Sequence, residues 1–144
     1  TCSNPLTEKA SYAVYAEAAS GLAREAGADK DLLLAKLSTA GPKTVHSQII
    51  HHREVPELIG AGRADAAVIY YHLALRYTRI FPDIFELVDI GGVLSGTRSP
   101  ANPVTRYHIG LVADGGLWGK HFVAFMQDHD AQRLYEDHGL VGLC

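Results

Sequence analysis

The stretch HHREVPELIGAGRADAAVIYYHLA, residues 51–74, carries more structural signal than any other in the chain, because a helix start, a short helix, a glycine-flanked turn and an apolar run follow one another within it. After the polar HHRE, Val55, Leu58 and Ile59 fall at i, i+3 and i+4, and Pro56 sits close to the start, where a missing N–H is tolerated. The spacing therefore predicts a helix from about Arg53. Gly60 and Gly62 stop it. Residues 64–71 are apolar and rich in β-branched and aromatic side chains, which suits a strand covered on both faces, as in a parallel sheet. Its carboxyl end carries Tyr70, Tyr71 and His72. Ligands of open α/β sheets collect outside the strand carboxyl ends, near helix N-termini, so HHRE and YYH are expected to rim one cleft. The competing structural reading has the tyrosines alternating between packed layers and the histidines solvated.

Working outward toward the N-terminus, residues 2–6 read as extended, with Asn4-Pro5 keeping the chain out of the helical region. Thr7 or Ser11 can cap a long Ala-rich helix that runs to about Glu25, with Val14, Ala18 and Leu22 on one face and Gly27 as its stop. A second helix over about 29–38 turns Leu32, Leu33 and Leu37 inward before Gly41-Pro42 breaks it. Residues 43–50 read as a strand. On the other side, residues 71–79 form a helix ended by Phe81-Pro82, residues 85–90 a strand, and the Gly-, Ser- and Pro-rich residues 91–103 a mobile surface loop. VTRYHIGLV, residues 104–112, reads as a strand. Asp114-Gly115-Gly116 turns it into a helix over about 117–127, and a last helix starts at His129-Asp130 and closes at Gly139. This alternation predicts an α/β fold with a largely parallel sheet flanked by helices.

At 144 residues the chain is long enough for one domain with a real core, or for two small lobes, and 47% hydrophobic with 20% charged residues is ordinary for a globular protein. A net charge of −3 without any Lys/Arg run argues against direct nucleic-acid binding. No apolar run approaches the roughly 18 residues of a membrane helix, and no charged n-region precedes an apolar core at the N-terminus. An exported protein with this sequence would be a mature form or a fragment. Cys2 and Cys144 stand at opposite ends, so they form a disulfide only if the termini meet.

The marks of catalysis are missing. There is no GxSxG elbow, no P-loop and no GxGxxG at dinucleotide spacing, and the one local acid–base cluster, Tyr70, His72 and Asp65, is a weak basis for an enzyme. Eight histidines, with His46, His51 and His52 close together, raise a metal site. Adjacent positions on an extended segment point to opposite sides, so one ion would not take both His51 and His52. No catalytic residue, metal or cofactor is expected.

Three segments resemble one family. GRADAAVIYYHLA looks like the G-[ED]-A-D-A-G-[IV]-V-Y motif of type II periplasmic solute-binding proteins, closest to the molybdate and tungstate binders of ABC transporters. SNPLTEKASYAVYAEAA and FVAFMQDHDAQRLYEDHGL resemble the same proteins' PxGxYAxEAL and closing AQ-containing segments, in the right order. The resemblance covers the C-terminal part of the family unit, the N-terminal part being absent from this chain. It implies an incomplete two-lobe architecture, with a ligand-contacting second lobe over 1–84 and a crossover strand and the end of the first lobe over 85–144. It also implies a small oxyanion held between lobes by Ser11, Tyr12, His52, Arg53 and Tyr70, the first four near helix starts and the last through its hydroxyl. An ABC permease would be the partner of an exported, periplasmic or extracellular form, and exposed surface of the incomplete lobe would favour homo-oligomers. The same fold serves as the ligand-sensing domain of bacterial transcription regulators, which would be cytoplasmic.

Overall fold

The computed structural model describes residues 1–88, 90–92 and 99–142. Among these residues six helices follow one another: α1 (Lys9–Glu25), α2 (Lys30–Ser38), α3 (His51–Gly60), α4 (Tyr71–Ile80), α5 (Gly116–Met126) and α6 (His129–Asp137). Each lies within a few residues of where the apolar spacing and stop residues put it. The expected α/β fold with a parallel sheet does not form: among the described residues the bridge pairs outside the helices are isolated, Cys2 with His46 in parallel and Gly41 with Thr44 in antiparallel.

Why the sheet fails is visible in the backbone hydrogen bonds. The first segment reaches one neighbour through Cys2 N to Val45 O and Ser47 N to Cys2 O, both 3.2 Å, and the other through Thr1 N to Ala66 O at 2.5 Å and Val68 N to Thr1 O at 3.1 Å. Each pairing stops after one rung. Asn4 turns its own N–H to Ser47 Oγ (3.0 Å) and its amide Nδ2 to Ser47 O (3.2 Å), and Pro5 has no N–H to extend a ladder. Residues 66–70 and 103–111 consequently run without regular secondary structure, and so do 85–88. The β-branched and aromatic residues that suggested strands report a preference for half-buried extended surface, and pairing needs a neighbour that this chain provides for one rung only. Of the expected strand over 85–90, Asp89 lies outside the described residues, as do 93–98 of the expected loop.

The helix ends also differ in detail. Glu8, not Thr7 or Ser11, occupies the N-cap of α1 and makes no side-chain cap bond. Its C-terminus closes with Gly27 at φ 66 and Ala28 N on Ala23 O at 2.8 Å. Asp29 caps α2 by accepting from Asp31 N and Leu32 N, each 3.0 Å, and α2 packs on α1. Leu33 and Leu37 are half-buried there, whereas Leu32 faces out. On α1, a Cβ added to Gly21 would stand 2.6 Å from Ala101 Cβ, so glycine lets the later chain lie directly on the helix.

α3 begins at His51, earlier than the spacing suggested, which places Pro56 beyond the first turn. Proline has no N–H to give the carbonyl four residues back, that of His52. The Tyr77 hydroxyl of α4 donates to that same carbonyl. A side chain of one helix thus satisfies the backbone acceptor that proline leaves open in another, and ties α3 to α4. Gly139, at φ 77, lies so close to Tyr71 that an added Cβ would come within 2.9 Å of its ring, which seats the end of α6 on the start of α4.

The buried apolar residues are Cys2, Tyr15, Ala23, Val55, Leu58 and Ala131. Three polar residues, Ser3, Ser47 and His51, are buried with them, and all three belong to the region described next.

Candidate functional site

Two carboxylates converge on the start of α3. The Glu8 carboxylate, at the head of α1, accepts from His51 N at 3.1 Å on each oxygen and from the Ser47 hydroxyl. Glu54 reaches back from the first turns of α3 to Gln48 N (2.9 Å), Ile49 N (2.5 Å) and Ile50 N (2.8 Å). Burial pushes the Glu54 carboxyl upward, but the three backbone donors outweigh it and hold the group below its ordinary value. Free N–H groups at a helix start favour anions, and here the chain supplies two of its own.

His51 is 1% exposed. Its Nε2 lies 2.8 Å from the Val68 carbonyl, which can only accept, so Nε2 carries the proton and Nδ1 of the neutral ring presents a lone pair. Burial keeps the imidazole neutral by lowering its pKa, against smaller opposing effects of the Val68 carbonyl and Glu8. Nδ1 has no hydrogen-bond partner among the described residues. Ser3 Oγ, on a residue 0% exposed, also has none.

Aromatic rings extend this buried centre toward solvent. Tyr15 meets His51 edge-on at 5.8 Å and Tyr70 at 5.4 Å; Tyr70 stacks on His72 at 5.9 Å, and His72 meets Tyr107 at 6.1 Å. Burial raises the Tyr15 phenol, and the neighbouring Tyr70 and Glu8 raise it further, while the Ser3 hydroxyl beside it and short of hydrogen-bond geometry pulls the other way. Tyr107 is raised by burial and by Tyr70. His72 is lowered by burial and by His52. Tyr15 from α1, Tyr70 from the segment before α4 and Tyr107 from 103–111 therefore sense one another's hydroxyls.

No family model, no curated protein and no solved structure matches this chain. What the site can do is accordingly read from its own atoms.

The residues expected from the sequence are only partly brought together. Tyr70 stands inside the aromatic chain. Ser11 and Tyr12 sit in the first turn of α1, where Tyr12 N is already bonded to Glu8 O at 3.0 Å. Arg53 N is bonded to Ile50 O at 3.0 Å, and its side chain is exposed and makes no ion pair among the described residues. His52 offers its carbonyl to Tyr77 rather than to a ligand. The residues that the sequence left out are Ser3, Glu8, Tyr15 and Tyr107. His51 was legible as part of the HHRE rim and was weighed for a metal, and no group of three or more His, Cys, Asp or Glu among the described residues could hold an ion. Of Asp65, Tyr70 and His72, the last two stack together. Cys2 is a buried free thiol, raised by burial, with its Sγ 3.7 Å from Leu37 O, and Cys144 lies outside the described residues.

Proposed function

We propose that this chain is a solute-binding unit for a small oxyanion, serving an ABC-type uptake system. The carrying observation is the run of rings Tyr15, Tyr70, His72 and Tyr107 that leads from beside the buried Ser3 hydroxyl and His51 to the exposed Tyr107, since it brings hydroxyl-bearing side chains from separate segments to one region and hydroxyls suit acceptor oxygens. The resemblance of the 51–74 stretch to the molybdate and tungstate binders agrees with it, because Tyr70 falls where that family supplies a hydroxyl. The two carboxylates already at the start of α3 move the ligand away from the His52 and Arg53 N–H groups and toward the phenols. Arg53 then contributes long-range charge rather than a direct bond.

Titration calorimetry with a panel of oxyanions tests the reading. Binding is expected to weaken by about tenfold in Tyr70→Phe, the worth of one hydrogen bond to an anion, and by much less in Arg53→Ala. If small organic ligands bind and no oxyanion does so at millimolar concentration, the reading is wrong.

A further inference from the structure

The run VTRYHIGLV, residues 104–112, has strand composition and nothing to pair with. Residues 103–111 pass without turn or bend, and none of their backbone N–H or carbonyl groups makes a hydrogen bond among the described residues. A straight apolar run that leaves a row of such groups open is a template for another strand. Its side chains are open as well, residues 106–112 being exposed throughout. Ile109, Leu111, Val112, Gly119, Phe122 and Val123 line a groove of about 250 Å³ between the run and α5. Leu117 and Trp118, on the turn of α5 before Phe122, are open too. The rings of Trp118 and Phe122 alone leave on the order of 200–300 Å² uncovered. With Ile109, Leu111 and Val112 the patch reaches the several hundred Å² that marks a contact surface.

Two observations bear on what covers this patch. Gly110, in the middle of the run, has no left-handed φ, and a Cβ added to it would meet nothing within 4 Å. Neither its backbone conformation nor packing inside the chain calls for glycine, and such a position within a strand-like run suits the close approach of another backbone. The second observation is charge. Arg106 and Asp114 are both exposed and form no ion pair among the described residues; Asp114 Oδ1 accepts from Gly116 N at 3.0 Å, which leaves Oδ2 to bond elsewhere. Antiparallel pairing of two copies about a two-fold axis at Gly110 sets Arg106 of each copy against Asp114 of the other, and no other axis through the run opposes Arg106 with a negative charge. The backbone turns at Ala113, φ 54, so the ladder covers residues 108–112 and the long Arg106 side chain spans the remaining step. We propose that two copies of this chain associate by antiparallel pairing of residues 108–112 about Gly110, with two Arg106–Asp114 pairs at its ends and the apolar patches on α5 flanking the joint. The association does not depend on what the aromatic region binds.

Sedimentation equilibrium of the full chain across the micromolar range tests it, and a concentration-dependent dimer is expected. His108→Pro removes one N–H from the pairing row; no bond inside the single chain uses that N–H, so the helical circular dichroism is expected to stay while self-association weakens by at least about tenfold. Arg106→Glu and Asp114→Arg each set like charges against one another twice, and each variant alone is expected to associate about tenfold more weakly or worse. An equimolar mixture of the two variants restores both opposite-charge pairs in a mixed dimer and is expected to recover the affinity of the unaltered chain. A mixture no tighter than either variant, or a dimer indifferent to His108→Pro, overturns the pairing. So does a chain that stays monomeric throughout, and its binding to phosphatidylcholine vesicles would then assign the patch to a lipid surface.

Discussion

The chain through α3 and the stretch that includes α5 and α6 have similar apolar character and opposite fates. Among the described residues, five of the six buried apolar residues, Cys2, Tyr15, Ala23, Val55 and Leu58, come from the first region, and Ala131 from the second. In the second, Val112 is 90% exposed, Leu117 77% and Trp118 74%, with Phe122 and Phe125 at least half open. Hydrophobicity therefore does not decide burial here. What distinguishes the first region is that its polar side chains bond across segments far apart in sequence, Glu8 to His51 N and Asn4 to Ser47, so apolar side chains close between those segments. In the second, the side-chain bonds at helix ends are local, Asp114 to Gly116 N, Asp128 to Asp130 N and Tyr135 to Met126 O, and the apolar residues of α5 open to solvent.

The contrast is sharpest in the packed side chains. Leu58→Ala is expected to cost about 2–5 kcal/mol in urea unfolding, because it empties closed space. Phe125→Ala is expected to stay within about 0.5 kcal/mol, since its ring is half exposed. Equal losses would mean that the second region is buried in solution, and the comparison would break.

A smaller effect isolates the satisfied backbone. Tyr77→Phe is expected to cost about 1–3 kcal/mol, because the His52 carbonyl then has neither the Pro56 N–H nor the phenol. In a Pro56→Ala background the helix can make its own bond, so the same substitution should cost well under half as much. A cycle with no coupling would show that the contact carries no energy.

Acid should loosen the first region before the second. The Glu54 carboxyl and the His51 and His72 rings all have lowered values in the folded chain. Each then binds protons more readily when unfolded, so its contribution is present above its ordinary value and is lost as pH falls through the lowered one. Hydrogen exchange is expected to accelerate in α3 first as pH drops below the ordinary histidine value, then further through the carboxylate range. Exchange rising first in α5 would reverse the assignment. The least effect is expected from Arg63→Ala: its ion pair with Glu57 is exposed on both sides, and such pairs are worth about 0–1 kcal/mol.

Spacing and punctuation by themselves determined the helices. The i, i+3, i+4 pattern of Val55, Leu58 and Ile59, the stops at Gly27, Gly62 and Gly139, and the Asp29 cap are local signals, and helices are made of local hydrogen bonds. Tertiary structure alone decided whether extended runs pair. Residues 64–71 and 104–112 carry strand composition, but a ladder needs a neighbouring segment in register, and Asn4 and Pro5 end the available one after a single rung. The site divides in the same way. Tyr70 was legible because it follows an apolar run toward a helix start. Glu8, Ser3, Tyr15 and Tyr107 were not, because their roles arise from contacts between segments far apart in sequence, and a buried imidazole with one nitrogen committed and one unpaired exists only once Val68 and Tyr15 close around His51.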